Sequence, residues 1–198
     1  MKVSSVIAGA SAALVAFQAA LYASHGEADL LRPPGAHGEK DFASRCVKCG
    51  KCMEACPYIA IKPARDDAGA AVGTPMIDAR AQACRLCEDF PCVEACPTNA
   101  LRDIETRSDV KMGIAVIDED LCIAFQGMRC EVCYRTCPLI DEAIVIDYRL
   151  REGDAIHSVF APVIDEDKCV GCGLCVERCV VSEPRVAIRI ASDEERAG

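Results

Sequence analysis

The stretch CVKCGKCMEACP, residues 46–57, decides the fold of this chain. It carries Cys46, Cys49 and Cys52 with two residues between neighbours, then Cys56 after three more residues, and it ends on Pro57. Gaps of two residues let one tight loop present three thiols to a common centre, with backbone N–H groups turned inward as in an anion-binding nest. The fourth cysteine falls outside that loop, and the proline fixes the direction in which the chain leaves it.

The same unit occurs four times and uses all sixteen cysteines of the 198-residue chain. Groups one and four share one spacing, whereas group two is longer before Cys92 and group three is longer before Cys130. Proline follows the last cysteine of the first three groups, and Val180 stands there in group four. In chain order the groups are Cys46, Cys49, Cys52 and Cys56; Cys84, Cys87, Cys92 and Cys96; Cys122, Cys130, Cys133 and Cys137; Cys169, Cys172, Cys175 and Cys179.

This spacing is that of bacterial ferredoxins, in which the run holds a [4Fe–4S] cluster and its fourth cysteine ligates the neighbouring cluster. We therefore predict that all sixteen cysteines are ligands of four [4Fe–4S] clusters and that the chain transfers single electrons. A disulfide scaffold is a weaker alternative, because such frameworks serve short secreted domains. Structural zinc is also weaker, because zinc sites use separated CxxC pairs, often with histidine, and His25, His37 and His157 lie outside the groups. A single cluster run among buried free thiols does not explain four matching groups.

Composition limits the remaining classes. Aromatic residues make up 5% of the chain and tryptophan is absent, so we expect metal clusters to replace much of a conventional core and to couple binding to folding. The formal net charge of −9 argues against nucleic acid, which needs a basic surface, and it suits a basic docking partner.

The N-terminal region is predicted to be a targeting or anchoring segment. We expect residues 1–23 to form a signal or membrane anchor, because residues 6–23 contain no charged side chain, and an ordinary apolar helix is a weaker alternative. Residues 24–40 form a linker and residues 192–198 a polar tail. Export of a folded iron–sulfur protein uses a twin-arginine signal, and none stands near the start. We favour a start codon further upstream, and a cytoplasm-facing anchor or export as a passenger remain open.

An internal repeat predicts the fold over residues 41–191. IDEDLC at 117–122 recurs as IDEDKC at 164–169, and an Ala-Ile or Ala-Leu pair follows each group. We read the unit as a strand, a ligand loop, a helical turn after the last cysteine and a return strand, with Asp118 and Asp165 shaping the turn into the loop. The fold class is α+β, a duplicated bacterial ferredoxin-like (polyferredoxin) fold organised around four clusters. Residues 103–111 connect the two pseudo-repeats, 145–146 and 189–190 lie in return strands, and 149–159 form a charged hairpin or loop.

Several short stretches of the sequence resemble those of a known family, the NapG/MauM ferredoxin-type proteins. The most specific is QGMRCEVCYRTCPLID at 126–141. The others are LRPPGA at 31–36, FASRCVKCGKC at 42–52, GTP at 73–75 and CEDFPC at 87–92. The likeness extends from Leu31 to about Ile190.

The resemblance implies a four-cluster electron-transfer protein at the outer, periplasmic face of the cytoplasmic membrane. Its partners would be a membrane quinol-oxidising ferredoxin-type subunit (NapH-like) and a terminal reductase or small redox carrier, with nitrate reductase as the terminal acceptor. MauM-type members instead accompany methylamine dehydrogenase, and an iron–sulfur subunit of another molybdenum oxidoreductase is a further alternative. No nucleotide or flavin motif is visible, so we predict no substrate site and no catalysis by this chain. The missing twin arginine leaves a cytoplasmic location open.

If the groups exchange their fourth cysteines, they can pair in two ways. Sequential pairing joins group one with two and three with four, whereas nested pairing joins one with four and two with three. The Pro91-Cys92 step resembles the second motif of four-cluster subunits in molybdenum oxidoreductases, and that likeness favours nested pairing. Residues beside the ligands are expected to support the clusters: Gly50, Gly171 and Gly173 by close backbone approach, and Tyr58, Phe90, Phe125 and Tyr134 by packing.

Overall fold

A computed structural model describes residues 30–150, 153, 156 and 158–192. The predicted anchor at 1–23 and most of the 192–198 tail lie outside the described residues. The helices are α1 Glu39–Arg45, α2 Lys51–Ala55, α3 Pro91–Glu94, α4 Val132–Thr136 and α5 Leu174–Arg178. The strands are β1 Ile61–Pro63, β2 Pro75–Ile77, β3 Ile114–Ile117, β4 Ile144–Leu150, β5 Ser158–Ile164 and β6 Ile188–Ala191. Short 3-10 turns lie at Asp66–Ala71 and Arg107–Asp109.

The two halves of the described chain repeat one plan, which confirms the predicted duplication. In the second half β3 pairs antiparallel with β6, and the antiparallel β4–β5 hairpin lies between them in sequence. In the first half β1 and β2 pair antiparallel, and the outer pair is reduced to a single bridge between Ala36 and Leu101. Each half therefore closes on itself, with its first and last segments side by side.

The short helices lie before the fourth cysteines, so the prediction of a helical turn after them was wrong. Each of α2 to α5 carries the third cysteine of its group and ends just before the fourth. Cys56 is extended, with ψ 109°, because a residue that precedes proline is driven out of the helical region. A hydrogen-bonded turn follows instead, in which Ile59 N–H donates to the Cys56 carbonyl at 3.0 Å.

The strands that lead into ligand loops end at aspartates that cap the following turn. The Asp118 carboxylate accepts the N–H three residues on at 3.2 Å, and the Asp165 carboxylate accepts the N–H two residues on at 3.0 Å. Asp78 does the same after β2, at 3.1 Å. The predicted structural role of Asp118 and Asp165 is confirmed, as are the return strands at 145–146 and 189–190.

Residues 31–36 pack into the first half, although they lie in the predicted linker. Pro33 and Pro34 are fully buried, and Arg102 N–H donates to the Gly35 carbonyl at 2.7 Å. Gly35 has φ +80°, and a Cβ there would lie 2.4 Å from the Arg102 carbonyl oxygen. The chain can make this turn against its neighbour only with glycine.

Arg32 anchors this segment from inside the fold. Its Nη1 donates to Thr74 Oγ1 at 2.7 Å and to the Pro75 carbonyl at 2.9 Å, and its Nε donates to Glu39 at 2.7 Å. The guanidinium also lies 4.7 Å from the centre of the Phe42 ring. A buried charge with this many partners fixes the start of α1 against β2.

A polar clasp joins the two halves, formed by Arg80, Ala83, Arg85 and Glu177. Arg80 Nη1 donates to three carbonyls around the C-terminal end of α5, at 2.9 to 3.2 Å. The Glu177 carboxylate accepts Ala83 N–H at 2.8 Å and pairs with Arg85 at 2.8 Å. Buried side chains continue across the joint, since the main core cluster includes both Leu86 and Leu174. None of the helices in the described part of the chain has the length and apolar character to span a membrane.

Candidate metal centres

The structure brings the sixteen thiols together as four sets of four. Each set contains the first three cysteines of one group and the fourth cysteine of its sequence neighbour. Set A is Cys46, Cys49, Cys52 and Cys96; set B is Cys84, Cys87, Cys92 and Cys56; set C is Cys169, Cys172, Cys175 and Cys137; set D is Cys122, Cys130, Cys133 and Cys179.

Thiol neighbours define the two sets of the first half. Burial raises the pKa of the Cys52 thiol to about 11, and Cys46, Cys96 and Cys49 add charge repulsion. Burial raises the pKa of the Cys92 thiol to about 12, with repulsion from Cys84 and Cys56. One cavity is lined by all four thiols of set B. Groups one and two have therefore exchanged their fourth cysteines.

The second half repeats the exchange. Burial raises the pKa of the Cys172 thiol to about 12, with repulsion from Cys137 of group three. Burial also raises the pKa of the Cys122 thiol. Repulsion from Cys130 of the same group and from Cys179 of group four raises this pKa further. A second cavity is lined by all four thiols of set C, together with Cys133.

These sets contradict nested pairing, and that prediction was wrong. Group one lies with group two and group three with group four, so the pairing is sequential. The physical reason is closure of each half: the Ala36–Leu101 bridge and the β3–β6 pair bring adjacent groups together. Closing the shorter loops also costs less chain entropy than joining group one to group four.

The donor chemistry of the sets fits iron–sulfur clusters. All sixteen cysteines are free thiols, and backbone N–H groups point at several sulfurs, as at Cys56 (from Ala60, 3.4 Å) and Cys169 (from Ala115, 3.4 Å). Partial burial opposes ionisation of Cys96, but N–H donors led by that of Leu101 hold the pKa of this thiol below its ordinary value. Such donors stabilise charge on the sulfurs of an anionic cluster.

Within the described residues, no three or more His, Cys, Asp or Glu side chains are arranged to hold a single metal ion. A four-iron cube makes a different demand, because its four cysteines bind four separate irons and stand further apart than ligands of one ion. Burial raises the pKa values of the Cys52 and Cys92 thiols, and a metal that binds these sulfurs would take the place of their protons.

Sets B and C meet where the two halves join. Cys84 N–H donates to the Cys172 carbonyl at 3.1 Å, and the Cys84 thiol is among the neighbours that raise the pKa of Cys172. Set A interlocks with set B through Cys56 and Cys96, and set C interlocks with set D in the same way. The four sets thus form one line in the order A, B, C, D.

The residues beside the ligands take varied positions. Phe90 is buried and lines the set B cavity, as a packing role requires, whereas Tyr58 lines the same cavity and is half exposed. Tyr134 donates from its hydroxyl to Asp141 at 2.6 Å, and the Phe125 ring lies 5.5 Å from the Arg149 guanidinium carbon.

Gly50, Gly171 and Gly173 all have positive φ, between +69° and +84°. At Gly171 the neighbour that leaves no room for a side chain is the backbone of Gly113, because a Cβ would lie 2.4 Å from the Gly113 carbonyl oxygen. The close approach of these loops to a cluster stays a prediction.

Sequence reasoning missed the clasp. Glu177 lies two residues after Cys175, and Arg80 and Arg85 flank the start of group two, but no periodicity or motif connects them. The one signal in the chain is that each of these charges stands beside a ligand loop.

Comparisons with known proteins agree with the sequential sets. The family described as "4Fe-4S dicluster domain" matches residues 45–100, which hold groups one and two, and again 126–182, which hold group four and all of group three except Cys122. The chain is 46% identical to the ferredoxin-type protein NapG of Escherichia coli (strain K12) over 160 residues, covering 80% of this chain and 69% of that protein. It is 44% identical to the methylamine utilization ferredoxin-type protein MauM of Methylobacillus flagellatus over 171 residues, covering 84% and 70%. A ferredoxin-type protein NapF of Escherichia coli (strain K12) is 28% identical over 153 residues, covering 77% and 81%.

Proposed function

This chain belongs to the NapG/MauM ferredoxin-type proteins, and from that membership we propose that it holds four [4Fe–4S] clusters and relays single electrons along them. Membership of a dicluster family makes it an electron-transfer iron–sulfur protein; the number of clusters and the path are our proposal. Each bound cluster supplies a one-electron couple. The chain's own residues hold it through thiolates, orient N–H donors towards sulfur and keep water away by burial.

The observation that carries this proposal is the continuous line of ligand sets. Exchange of Cys56 and Cys96 ties set A to set B, and the Cys84–Cys172 hydrogen bond brings set B to set C. A gap at the joint would divide the protein into two separate dicluster units. With the joint in place, an electron that enters at either end has a path to the other. Each set supplies four cysteines, so in this proposal the chain passes electrons and has no substrate site of its own.

The partners follow from the family. We propose that a membrane quinol-oxidising ferredoxin-type subunit (NapH-like) supplies the electrons and that they leave towards a periplasmic terminal reductase, nitrate reductase first. The NapG relative supports this choice at 46% identity, and the MauM relative at 44% supports a methylamine dehydrogenase system as the second candidate. For either candidate we propose a location at the outer face of the cytoplasmic membrane, with residues 1–23 as signal or anchor.

Metal analysis of protein purified without oxygen tests the cofactor. We expect about 16 irons and about 16 acid-labile sulfides per chain, with broad visible absorption that bleaches on reduction. About two to eight irons would contradict four clusters, and zinc without iron would overturn the electron-transfer proposal.

Reconstitution tests the partners. Membranes that contain the quinol-oxidising subunit should reduce the protein when quinol is added, and nitrate with its periplasmic reductase should reoxidise it. Reoxidation by the electron-transfer proteins of methylamine dehydrogenase, and not by nitrate reductase, would select the MauM-type candidate.

A further inference from the structure

Only one of the sixteen cysteines reaches the surface to a large extent. Cys49 is exposed, Cys52, Cys92 and Cys172 are buried, and the other twelve are intermediate. Cys49 belongs to set A, which is an end of the line of sets. Tunnelling to a partner is favoured where a cluster ligand is exposed, and Cys49 is the one of the sixteen cysteines that is exposed and not intermediate or buried.

The loop around Cys49 has a charge opposite to that of the whole chain. Arg45, Lys48 and Lys51 are all exposed, and residues 45–51 contain no acidic side chain, although the net charge of the chain is −9. Val47 is 64% exposed and adds one apolar side chain beside the cations. We call residues 45–51 the Cys49 loop.

Part of this charge is fixed in position. Lys48 Nζ donates to the Val72 carbonyl at 2.6 Å, which holds the ammonium group beside the loop. Arg45 and Lys51 form no ion pair with any residue that the structure describes, so their charges are available to a partner. Glu54, one turn further along α2, is the nearest carboxylate that follows in sequence.

We propose that the Cys49 loop is the docking surface for a redox protein with an acidic face, and that electrons cross this contact to or from set A. Three cations around an exposed ligand attract a negative surface, raise the rate of encounter and orient the partner over Cys49. The loop has too little apolar surface for a membrane contact, since one exposed valine does not make the apolar face that membrane binding requires. This proposal rests on the electron-relay function and adds the sign of the partner's charge and the point of contact.

Flavodoxin, an acidic one-electron flavoprotein, is a suitable probe. In a stopped-flow instrument one electron passes from the reduced flavin to the oxidised protein, and we expect the second-order rate constant to fall as salt is raised. The double variant Arg45→Glu/Lys51→Glu should lower this rate constant about tenfold at low salt. The control is Lys111→Glu, which reverses one exposed cation elsewhere and loses a 3.4 Å bond to the Asp167 carbonyl and an attraction to Asp109. It should change the rate less than twofold.

A binding measurement gives a second test that does not depend on electron transfer. The Kd for oxidised flavodoxin should weaken with salt in the unmodified protein, and it should weaken further in the double variant but not in Lys111→Glu. An unchanged rate and Kd in the double variant, or an equal loss in the control, would overturn the proposal. Binding to phosphatidylglycerol vesicles in place of flavodoxin would also overturn it, because the loop would then serve a membrane. Failure of the relay function is recognised beforehand, as protein that lacks iron or does not bleach with dithionite.

Discussion

At the scale of single residues, the fourth cysteine of each group has the most distinctive position. Cys56 lies ten residues or fewer from the rest of group one, yet its neighbours are Cys84, Cys87 and Cys92 of group two. Its extended conformation before Pro57 turns the thiol away from its own loop. A single cysteine therefore connects two ligand loops, and its loss should remove a ligand from the set that the neighbouring group forms.

Double variants can detect this exchange. Cys56→Ala/Cys84→Ala removes two ligands of set B, so it should lose about four irons, as Cys84→Ala does alone. Cys56→Ala/Cys46→Ala removes one ligand each from sets B and A, so it should lose about eight. Iron and sulfide per chain are the measurement, with circular dichroism to confirm that each variant is folded. The reverse pattern, in which Cys56 and Cys46 act as one unit, would mean that each group holds its own cluster.

Gly171 allows a separate prediction at this scale. Its φ is +69° and a Cβ would lie 2.4 Å from the Gly113 carbonyl oxygen, so Gly171→Ala combines backbone strain with a clash. We expect it to lower the free energy of unfolding by about 3 kcal/mol. Gly153 is the control, because its φ is +75° and nothing lies within 4 Å of its Cβ position. Gly153→Ala should cost about 1 kcal/mol, from strain alone. Thermal unfolding at one scan rate compares the two, and equal shifts would show that contact with Gly113 is unimportant.

At the scale of elements, the sequence predicted the strands better than the helices. The repeated IDED stretches at 117–120 and 164–167 indicated the ends of two strands. The reason is that an aspartate that follows a β-branched run caps a turn through its own carboxylate. The helices were placed on the wrong side of the fourth cysteine because each is only four or five residues long. So short an element has no periodicity to read.

The turn after β3 gives a pH prediction. A hydrogen bond from Arg185 holds the pKa of Asp118 below its ordinary value, and the N–H of Leu121 adds to this. A carboxyl whose folded-state pKa is depressed stabilises the fold above its unfolded pKa, near 4, and this stabilisation is lost as pH falls through the folded pKa. Asp118→Asn should therefore lower the unfolding temperature at pH 7, and its difference from the unmodified protein should persist down to about pH 4 and shrink as the pH falls below that value.

The neighbouring Asp120→Asn is the control for this measurement. Asp120 is exposed and lies two residues further along the same turn, and we expect no such pH-dependent difference. A difference between Asp118→Asn and the unmodified protein that stays constant as the pH falls from 7 to well below about 4 would show that the Arg185 pair does not act on stability through ionisation.

At the scale of the whole molecule, the duplication and the sixteen thiols could be predicted, but the joint between the halves could not. Spacing and repeats are local properties of a sequence, and they identify each group and its strands. The clasp joins residues far apart in sequence, as Arg80 and Glu177 show, and neither has a local pattern that marks a contact. Nested pairing was predicted from a likeness at Pro91-Cys92, which is also local, whereas pairing depends on which strands close each half.

A substitution in the clasp tests whether the clasp keeps sets B and C next to each other. Glu177→Ala leaves Ala83 N–H and Arg85 without their partner, and loss of a partly buried charged hydrogen bond costs about 1 to 3 kcal/mol. The two halves should then separate more readily, although each keeps its own ligands and its iron. We expect faster proteolysis in the 103–111 connection and a weaker magnetic interaction between reduced clusters of sets B and C in electron paramagnetic resonance spectra. Glu54→Ala is the matched control, because Glu54 also lies two residues after the third cysteine of its group but is exposed. If Glu177→Ala and Glu54→Ala gave the same proteolysis rate and the same spectra, the joint would be held by apolar packing around Leu86 and Leu174, and the clasp would have no part in keeping Cys84 beside Cys172.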